Sequence, residues 1–442
     1  MKDRISNRRT VLKRIGQATT VGAAMSIAGC TGGGGGDGGD GGDGGGGETT
    51  TQATTSEETT TEQMTTAELT PVKWTHGTGF SEKANNKDGI DPSHLWELSR
   101  RLDQKSDGKI QMNVVGGNQL CSFATCGEKL QARVIQTGSA AFSPADGTWP
   151  SLYIWTIPYL FPPMSQPPYA NKPAINATVF SKEMWEKFWV PFGKKNGLVP
   201  FLPEEAELRG LFIGKGASKE LGRRVRKPAD IEGMKIRRTF SRMSAKAIES
   251  WGANSVEISW ADTLQGMKSG LVDGMEIWAS ANAAFGMADV TGQAVINNWD
   301  IGLEPNWITV DFLKQLSAAD AQLIGETTKE LSEEWVRMTD DINENRVGLA
   351  DPPKEGSKFA ETGTQVNILT EEEMNVWKGD LDPMDNPDQY QKAYDQAKPI
   401  VDDPRGFVED IYNAARSSDI PDSYADFTYE AWWHDYIDEL TS

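Results

Sequence analysis

The chain is poor in the residues from which most catalytic and metal centres are built. Its 442 residues include three cysteines and three histidines. A structural zinc site needs four ligands, and His76, His94 and His434 stand at no paired spacing to the cysteines, so zinc is disfavoured and no metal ligands are assigned. No G-x-S-x-G elbow, H-E-x-x-H helix or phosphate-binding G-x-x-x-x-G-K-[ST] loop occurs, which argues against an enzyme and against a bound cofactor. Positive charge is scarce as well. With 44 Lys and Arg against 64 Asp and Glu the net charge is −20, which argues against nucleic acid as a partner, because phosphate backbones recruit basic surfaces. Such acidity fits a surface adapted to concentrated salt, where a Debye length of about 3 Å at 1 M suppresses self-repulsion. No stretch supplies the ~20 strongly apolar residues that cross a bilayer.

What is present begins with a delivery segment. Residues 6–14, SNRRTVLKR, set Arg8 and Arg9 before a weakly apolar run over 15–28 that ends in Ile27-Ala28-Gly29-Cys30. This resembles a twin-arginine export signal followed by a lipobox, which implies export in the folded state, a signal peptide over 1–29 and lipidation of Cys30. Residues 30–70, a Gly/Asp run and then a Thr/Glu-rich stretch, have too few apolar side chains to bury and are expected to form a disordered tether. The expected location is extracytoplasmic, on the outer face of the cell membrane, held there by the lipid alone. Cys121 and Cys126 lie in CSFATC; outside the cell this pair admits a disulfide, although spacing alone does not fix the geometry.

From residue 71 onward strands and helices alternate, which predicts α/β lobes with mainly parallel sheets. The first lobe takes residues 71–206, with strands near 72–75, 109–115 and 140–143 and a helix capped by Ser93 that carries Leu95, Leu98 and Leu102 on one face. Ligands gather beyond the carboxyl ends of such strands, and the loops there carry His76, Asp146 and Trp149. Residues 207–276 form the core of a second lobe, and 277–316 return as strands to the first. Ser317 and Asp320 cap a helix over 317–348, long enough to lie across both lobes. Residues 349–442 read as acidic and mostly helical, with Trp432 and Trp433 used for packing.

The densest local signals lie between residues 230 and 280. Gly233 breaks the chain before a strand ending in Arg237, a helix over 241–251 stops at Gly252, and a strand follows at 256–258. Ser259 and Asp262 then cap a helix that Gly270 ends, and Glu276 lies in the next strand. Arg237 thus stands at a strand end facing a cleft. An arginine fork meets a carboxylate with two parallel hydrogen bonds, which lysine cannot reproduce. Arg238, one residue on, points to the opposite face.

GMKIR at 233–237 and WGANSVEISWADTLQGMKSGLVDGMEIW at 251–278, with GGNQL at 116–120, IQTGSA at 135–140 and IPYLF at 157–161, closely resemble the solute receptors of tripartite ATP-independent periplasmic (TRAP) transporters, the DctP family. The resemblance covers residues 72–351. It implies a two-lobe periplasmic-binding-protein-like fold with crossing strands and a long lobe-spanning helix, closing over an organic acid and delivering it to TRAP-type membrane permease subunits. It implies that Arg237 pairs with the ligand carboxylate, that Trp260 packs over the ligand, that Arg209 is a second basic position, and that Asp146, Trp149 and His76 supply the first lobe's contacts. Family members that read Glu-Asn-Pro offer an amide hydrogen bond, and keto-acid binders that read Glu-Trp hold a metal; this chain has Glu276-Ile277-Trp278 there. Ile277 cannot supply the amide bond, which counts against a hydroxy-dicarboxylate or sialic-acid-like ligand. Trp149, Trp260 and Trp278 suggest a more apolar or aromatic carboxylate. The alternative is a ligand-sensing lipoprotein that presents its state to a signalling partner.

Overall fold

Short apolar runs bounded by glycine and polar turns set the strands. In the computed structural model, which describes residues 69–82, 94–145, 147–203 and 207–442 (side chains of 144 and 145 excepted), they are β1 (Val72–Gly77), β2 (Ile110–Val115), β3 (Thr137–Ser139), β4 (Leu198–Leu202), β5 (Glu207–Leu208), β6 (Gly210–Gly214), β7 (Lys235–Arg238), β8 (Asn254–Glu257), β9 (Gly274–Ile277), β10 (Thr291–Ile296), β11 (Ile301–Gly302), β12 (Asn306–Thr309) and β13 (Gln365–Ile368). The readings for Arg8, Arg9, Cys30, Ser93, Asp146 and the stretch before residue 69 lie outside the described residues.

Two sheets form the two lobes. The first has the order β2-β1-β3-β12-β4, with β1 parallel to β2 and β3, and β12 antiparallel to β3 and β4. The second has the order β13-β10-β6-β9-β7-β8. A separate antiparallel pair, β5 with β11, lies where the chain passes between the sheets. The two-lobe α/β architecture with crossing strands is as expected. Its details differ in three places. The strand expected at 140–143 lies at Thr137–Ser139, because residues from Phe142 already turn as a helix. The return to the first lobe starts only after Ile296: β10 stays in the second sheet, paired with β6 and β13. The C-terminal region, read as mostly helical, contributes β13 to that same sheet.

The long helix is regular over Ala318–Arg337 and then continues as a short turn and a wider π-type segment, Ile342–Val347, stopped by Gly348 at φ +89°. Ile324, Leu331 and Val336 pack in the first lobe's core, whereas Ile342 and Val347 pack in the second's, so the element spans both. Residues 369–381 also serve the second lobe, and from Tyr390 the chain packs on the first again. The lobes are therefore joined at four places: between Leu202 and Gly210, between Ile296 and Asn306, between Val336 and Ile342, and between Leu381 and Tyr390. Aromatics dominate the first core. Trp155 and Trp189 stack with ring centroids 5.4 Å apart, and Phe407 from the C-terminal region meets Trp155 edge-on at 5.5 Å. Trp433 is fully buried in this cluster, in keeping with a packing role. No helix among the described residues is long and apolar enough to cross a membrane.

Asp320 ties the start of β1 to the start of the long helix. Its carboxylate accepts from the Thr70 amide at 3.0 Å, the Ser317 amide at 3.1 Å and the Ser317 hydroxyl at 2.6 Å. Burial alone would raise its pKa, but the hydrogen bonds from Ser317 and Thr70 hold it below the ordinary carboxylate range. A depressed pKa contributes stability that is present above the unfolded pKa and lost as pH falls through the folded one. Asp320→Ala should cost about 1–2 kcal/mol in urea melts at neutral pH, by loss of its half of the capping box and of its bond to Thr70. The difference from wild type should shrink as the melts are repeated at increasingly acid pH.

Candidate functional site

In the second lobe, strand register carries Arg237 to the cleft. On β7, which lies between β9 and β8 with both neighbours parallel, Ile236 enters the core and Arg237 takes the other face. Arg238, back on the Ile236 side, is held at the surface by Glu257 at 2.8 Å and Ser255 at 2.7 Å. Arg237 is only 1% exposed. Its Nε donates to the Ile258 carbonyl at 3.0 Å, while neither terminal nitrogen has a partner, although both are buried. Burial pushes this guanidinium down to about 10, with Glu276 opposing and Arg209 and Arg238 adding to the shift. It stays charged at neutral pH, with two donors unused.

The surrounding side chains come from helix starts and crossing segments. Trp260 opens the helix Trp260–Ser269 behind its Ser259 cap, and its ring lies 5.5 Å from the Arg237 guanidinium carbon. Trp278 precedes the helix Ala279–Ala284 and lies 5.1 Å from the Arg209 guanidinium carbon. Arg209 itself is fixed by the crossing: its amide donates to Asp300 O at 2.7 Å and its carbonyl accepts from Trp299 at 3.1 Å. Its Nε is bound to Glu276 in a buried ion pair, and Glu276 also accepts from the Thr239 amide at 3.3 Å. Arg209, Arg237, Trp260 and Trp278 line one cleft, with Ile258, Ile277 and Phe285. Glu276 sits behind Arg209 rather than on the cleft wall.

Two expected first-lobe contacts are not among the lining residues. His76 has both ring nitrogens on the sheet, at 3.0 Å from Thr137 Oγ1 and 3.2 Å from Ser139 Oγ, and burial together with His94 lowers its pKa to about 3. It is a neutral core histidine. Trp149, 1% exposed, packs into the aromatic core 5.4 Å from Trp307, where the pleat of β12 offers it an apolar seat. Asp146 lies outside the described residues. In their place the first lobe supplies Phe123, Ala124 and Ala141, and the crossing supplies Glu304. Phe123 and Ala124 fall inside CSFATC, whose cysteines are joined by a disulfide. That motif was the one signal in the sequence that could have pointed to this loop.

A roomier cavity, about 260 Å³ against about 70 Å³ for the cleft, lies on the other side of the crossing, against Leu208 and Gly210. Glu207, Asp340 and Glu344 line it, and no Lys or Arg does. The only charged side chains lining it are acids, which disfavours an anion there, whereas the smaller cleft places Arg237 and Arg209 on its wall. Among the described residues no group of His, Cys, Asp and Glu is arranged to hold a metal ion.

Residues 84–391 match the family described as bacterial extracellular solute-binding protein, family 7, or DctP. A solute-binding protein of Chromohalobacter salexigens is 19% identical over 242 residues, 54% of this chain and 66% of that protein, so just under two thirds of that relative is spanned. Among solved structures, a TRAP periplasmic solute-binding protein of Desulfovibrio salexigens with bound orotic acid is similar at TM-score 0.61 and 14% identity, covering 77% of this chain and 98% of that one. Another, from Shewanella oneidensis with bound succinate, gives TM-score 0.60 at 15% identity, covering 78% and 98%. These likenesses establish the fold.

The two cleft arginines should respond oppositely to removal. Arg209→Met leaves Glu276 buried without its partner and should destabilise by about 3–5 kcal/mol. Arg237→Met removes a charge whose burial is not offset by hydrogen bonds at its terminal nitrogens, so the ligand-free protein should melt at the same temperature or higher. Calorimetry on both variants in ligand-free buffer measures the contrast.

Proposed function

The chain belongs to family 7 of the bacterial extracellular solute-binding proteins, the DctP family, which binds solutes and performs no catalysis, and on that premise we propose that it captures an organic acid by a carboxylate on Arg237. The observation that carries this reading is the pair of buried, unpartnered terminal nitrogens on Arg237. A carboxylate placed against them forms the bidentate pair for which the fork is shaped. Among the described residues the only other basic side chain lining the cleft, Arg209, is already engaged by Glu276, and the buried carboxyl of Glu304 adds no partner for a second anionic group. The preferred ligand therefore has one carboxylate at this end. Trp260, Trp278, Ile277 and Phe285 offer its remainder an apolar and aromatic surface rather than hydrogen bonds. The orotic acid bound by the Desulfovibrio salexigens protein is one such flat acid, and makes a suitable first probe.

On this reading the protein hands its ligand to TRAP-type permease subunits. Arg8 and Arg9 direct export, and lipid on Cys30 anchors the receptor to the outer face of the cell membrane through a long tether. In brine, an acidic surface neither steers nor repels an anion beyond a few ångströms, so affinity has to come from contact inside the cleft. A desolvated ion pair is screened much less than an exposed one.

Arg237→Ala should lose the thermal shift given by orotate while keeping wild-type circular dichroism. Removing one partner of such a pair costs about 3–5 kcal/mol, or roughly 100-fold to several thousand-fold in affinity. The wild-type affinity should change little between about 0.1 M and 1 M salt, in contrast to a surface-bound anion. An orotate shift that survives in Arg237→Ala would place the ligand elsewhere. Separately, Cys30→Ser expressed in an archaeal or bacterial host that lipidates exported proteins should move the receptor from the membrane fraction to the medium, which immunoblotting of the fractions reads directly.

A further inference from the structure

We propose that the loop closed by the Cys121–Cys126 disulfide is the first lobe's jaw, and that its Phe123 ring is a specificity-determining surface for the body of the bound acid. The proposal rests on the reading that Arg237 holds the carboxylate, and adds what faces that carboxylate from the opposite lobe.

The loop is built as a rigid unit. Within it, the Ser122 amide donates to Thr125 Oγ1 at 2.9 Å, and the Thr125 and Cys126 amides donate to Ser122 O at 2.9 and 2.8 Å. Cys126 starts the helix Cys126–Gln131, so the crosslink joins the loop's first residue to a helix end. Both cysteines are buried, while Phe123 and Ala124 at the tip line the cleft.

A slot in the sequence HGTGF receives this unit. A Cβ on Gly77 would stand 2.7 Å from the Cys121 sulfur, and one on Gly79 would stand 2.8 Å from the Phe123 ring. Neither glycine has positive φ, so what these positions require is the absence of a side chain and not backbone freedom. Two glycines at the end of β1 thus seat the disulfide and the ring separately.

From that seat the ring reaches across the cleft. Phe123 packs on Phe80 with centroids 4.6 Å apart, and meets Phe285 of the second lobe edge-on at 6.4 Å. Phe285 meets Trp260 edge-on at 5.2 Å, and Trp260 is the ring beside Arg237. The contacts form a continuous aromatic path from the crosslinked loop to the carboxylate-binding arginine. A ligand whose carboxylate sits on Arg237 carries its body along that path. Without the crosslink, residues 122–125 would lose conformational freedom at every binding event; with it, most of that loss is already incurred on folding.

Calorimetric titration with orotate, which has a flat ring, and succinate, which has none, tests this on wild type, Phe123→Ala, Arg237→Ala and Cys121→Ser/Cys126→Ser. Phe123→Ala should weaken orotate by about tenfold or more and succinate by less than about threefold. The cysteine variant should follow the same pattern; if it fails to fold, Phe123→Ala with the disulfide intact decides. Orotate binding that Arg237→Ala abolishes and Phe123→Ala leaves at wild-type strength overturns the jaw and keeps the carboxylate reading. Wild type that binds neither acid overturns both. Hydrogen exchange in ligand-free protein gives an independent outcome: Phe123→Ala should speed exchange in the helix Ala279–Ala284, and an unchanged rate there overturns the contact with Phe285 as a feature of the solution state.

Discussion

The guanidinium of Arg237 is held out of water with only its Nε engaged, and the neighbouring residues are arranged around the cost of keeping it there. An isolated buried charge is expensive, and the usual remedy is an adjacent counter-ion. Here the carboxylate that acts on it electrostatically, Glu276, is committed to Arg209, so it lowers the local potential without closing the Arg237 fork. The face of Trp260 adds a weaker attraction that leaves the donors free. This combination tolerates a buried charge and still leaves its terminal nitrogens unused, as the proposed carboxylate pairing requires. A fully paired arginine would make a more stable protein and a poorer receptor.

Much of the second lobe was legible because its signals are local. Ser241, Ser259, Gly252 and Gly270 act on residues within one helical turn, so a reader can place β7, β8 and the helices between them without knowing the rest of the fold. The first-lobe contacts were not legible, because a residue just past a strand end can face either the core or the cleft. Trp149 goes inward since Trp307, more than 150 positions away, completes its seat. His76 goes inward since Thr137 and Ser139 on the next strand match its two nitrogens. Phe123 was missed for the same reason in reverse: its partners Phe80 and Phe285 come from different lobes, and no spacing within CSFATC announces them. The strands β10 and β13 pair in parallel across some 70 residues, a register that short apolar runs do not specify.

The acidic surface and the aromatic core divide the work of stability. Ion pairs such as Arg101 with Glu334 and Lys105 with Glu330 link the first helix to the long one, but both are solvent-exposed and screened in salt. Each contributes at most about 1 kcal/mol, and less in brine. The stacked and edge-on rings around Trp155, Trp189 and Phe407 are indifferent to screening. Their burial also fixes the C-terminal region to the first lobe, which gives that lobe the larger core of the two.

Four passages of chain between the lobes restrict the geometry of motion more than a single hinge would. A body held by one thread can swing and twist in any direction, whereas each further thread at a separate point removes a rotation that would stretch or compress it. Few relative rotations of the lobes remain that would leave all four passages unstrained. A partner that docks on both lobes would then meet two surfaces whose relative placement has few free coordinates.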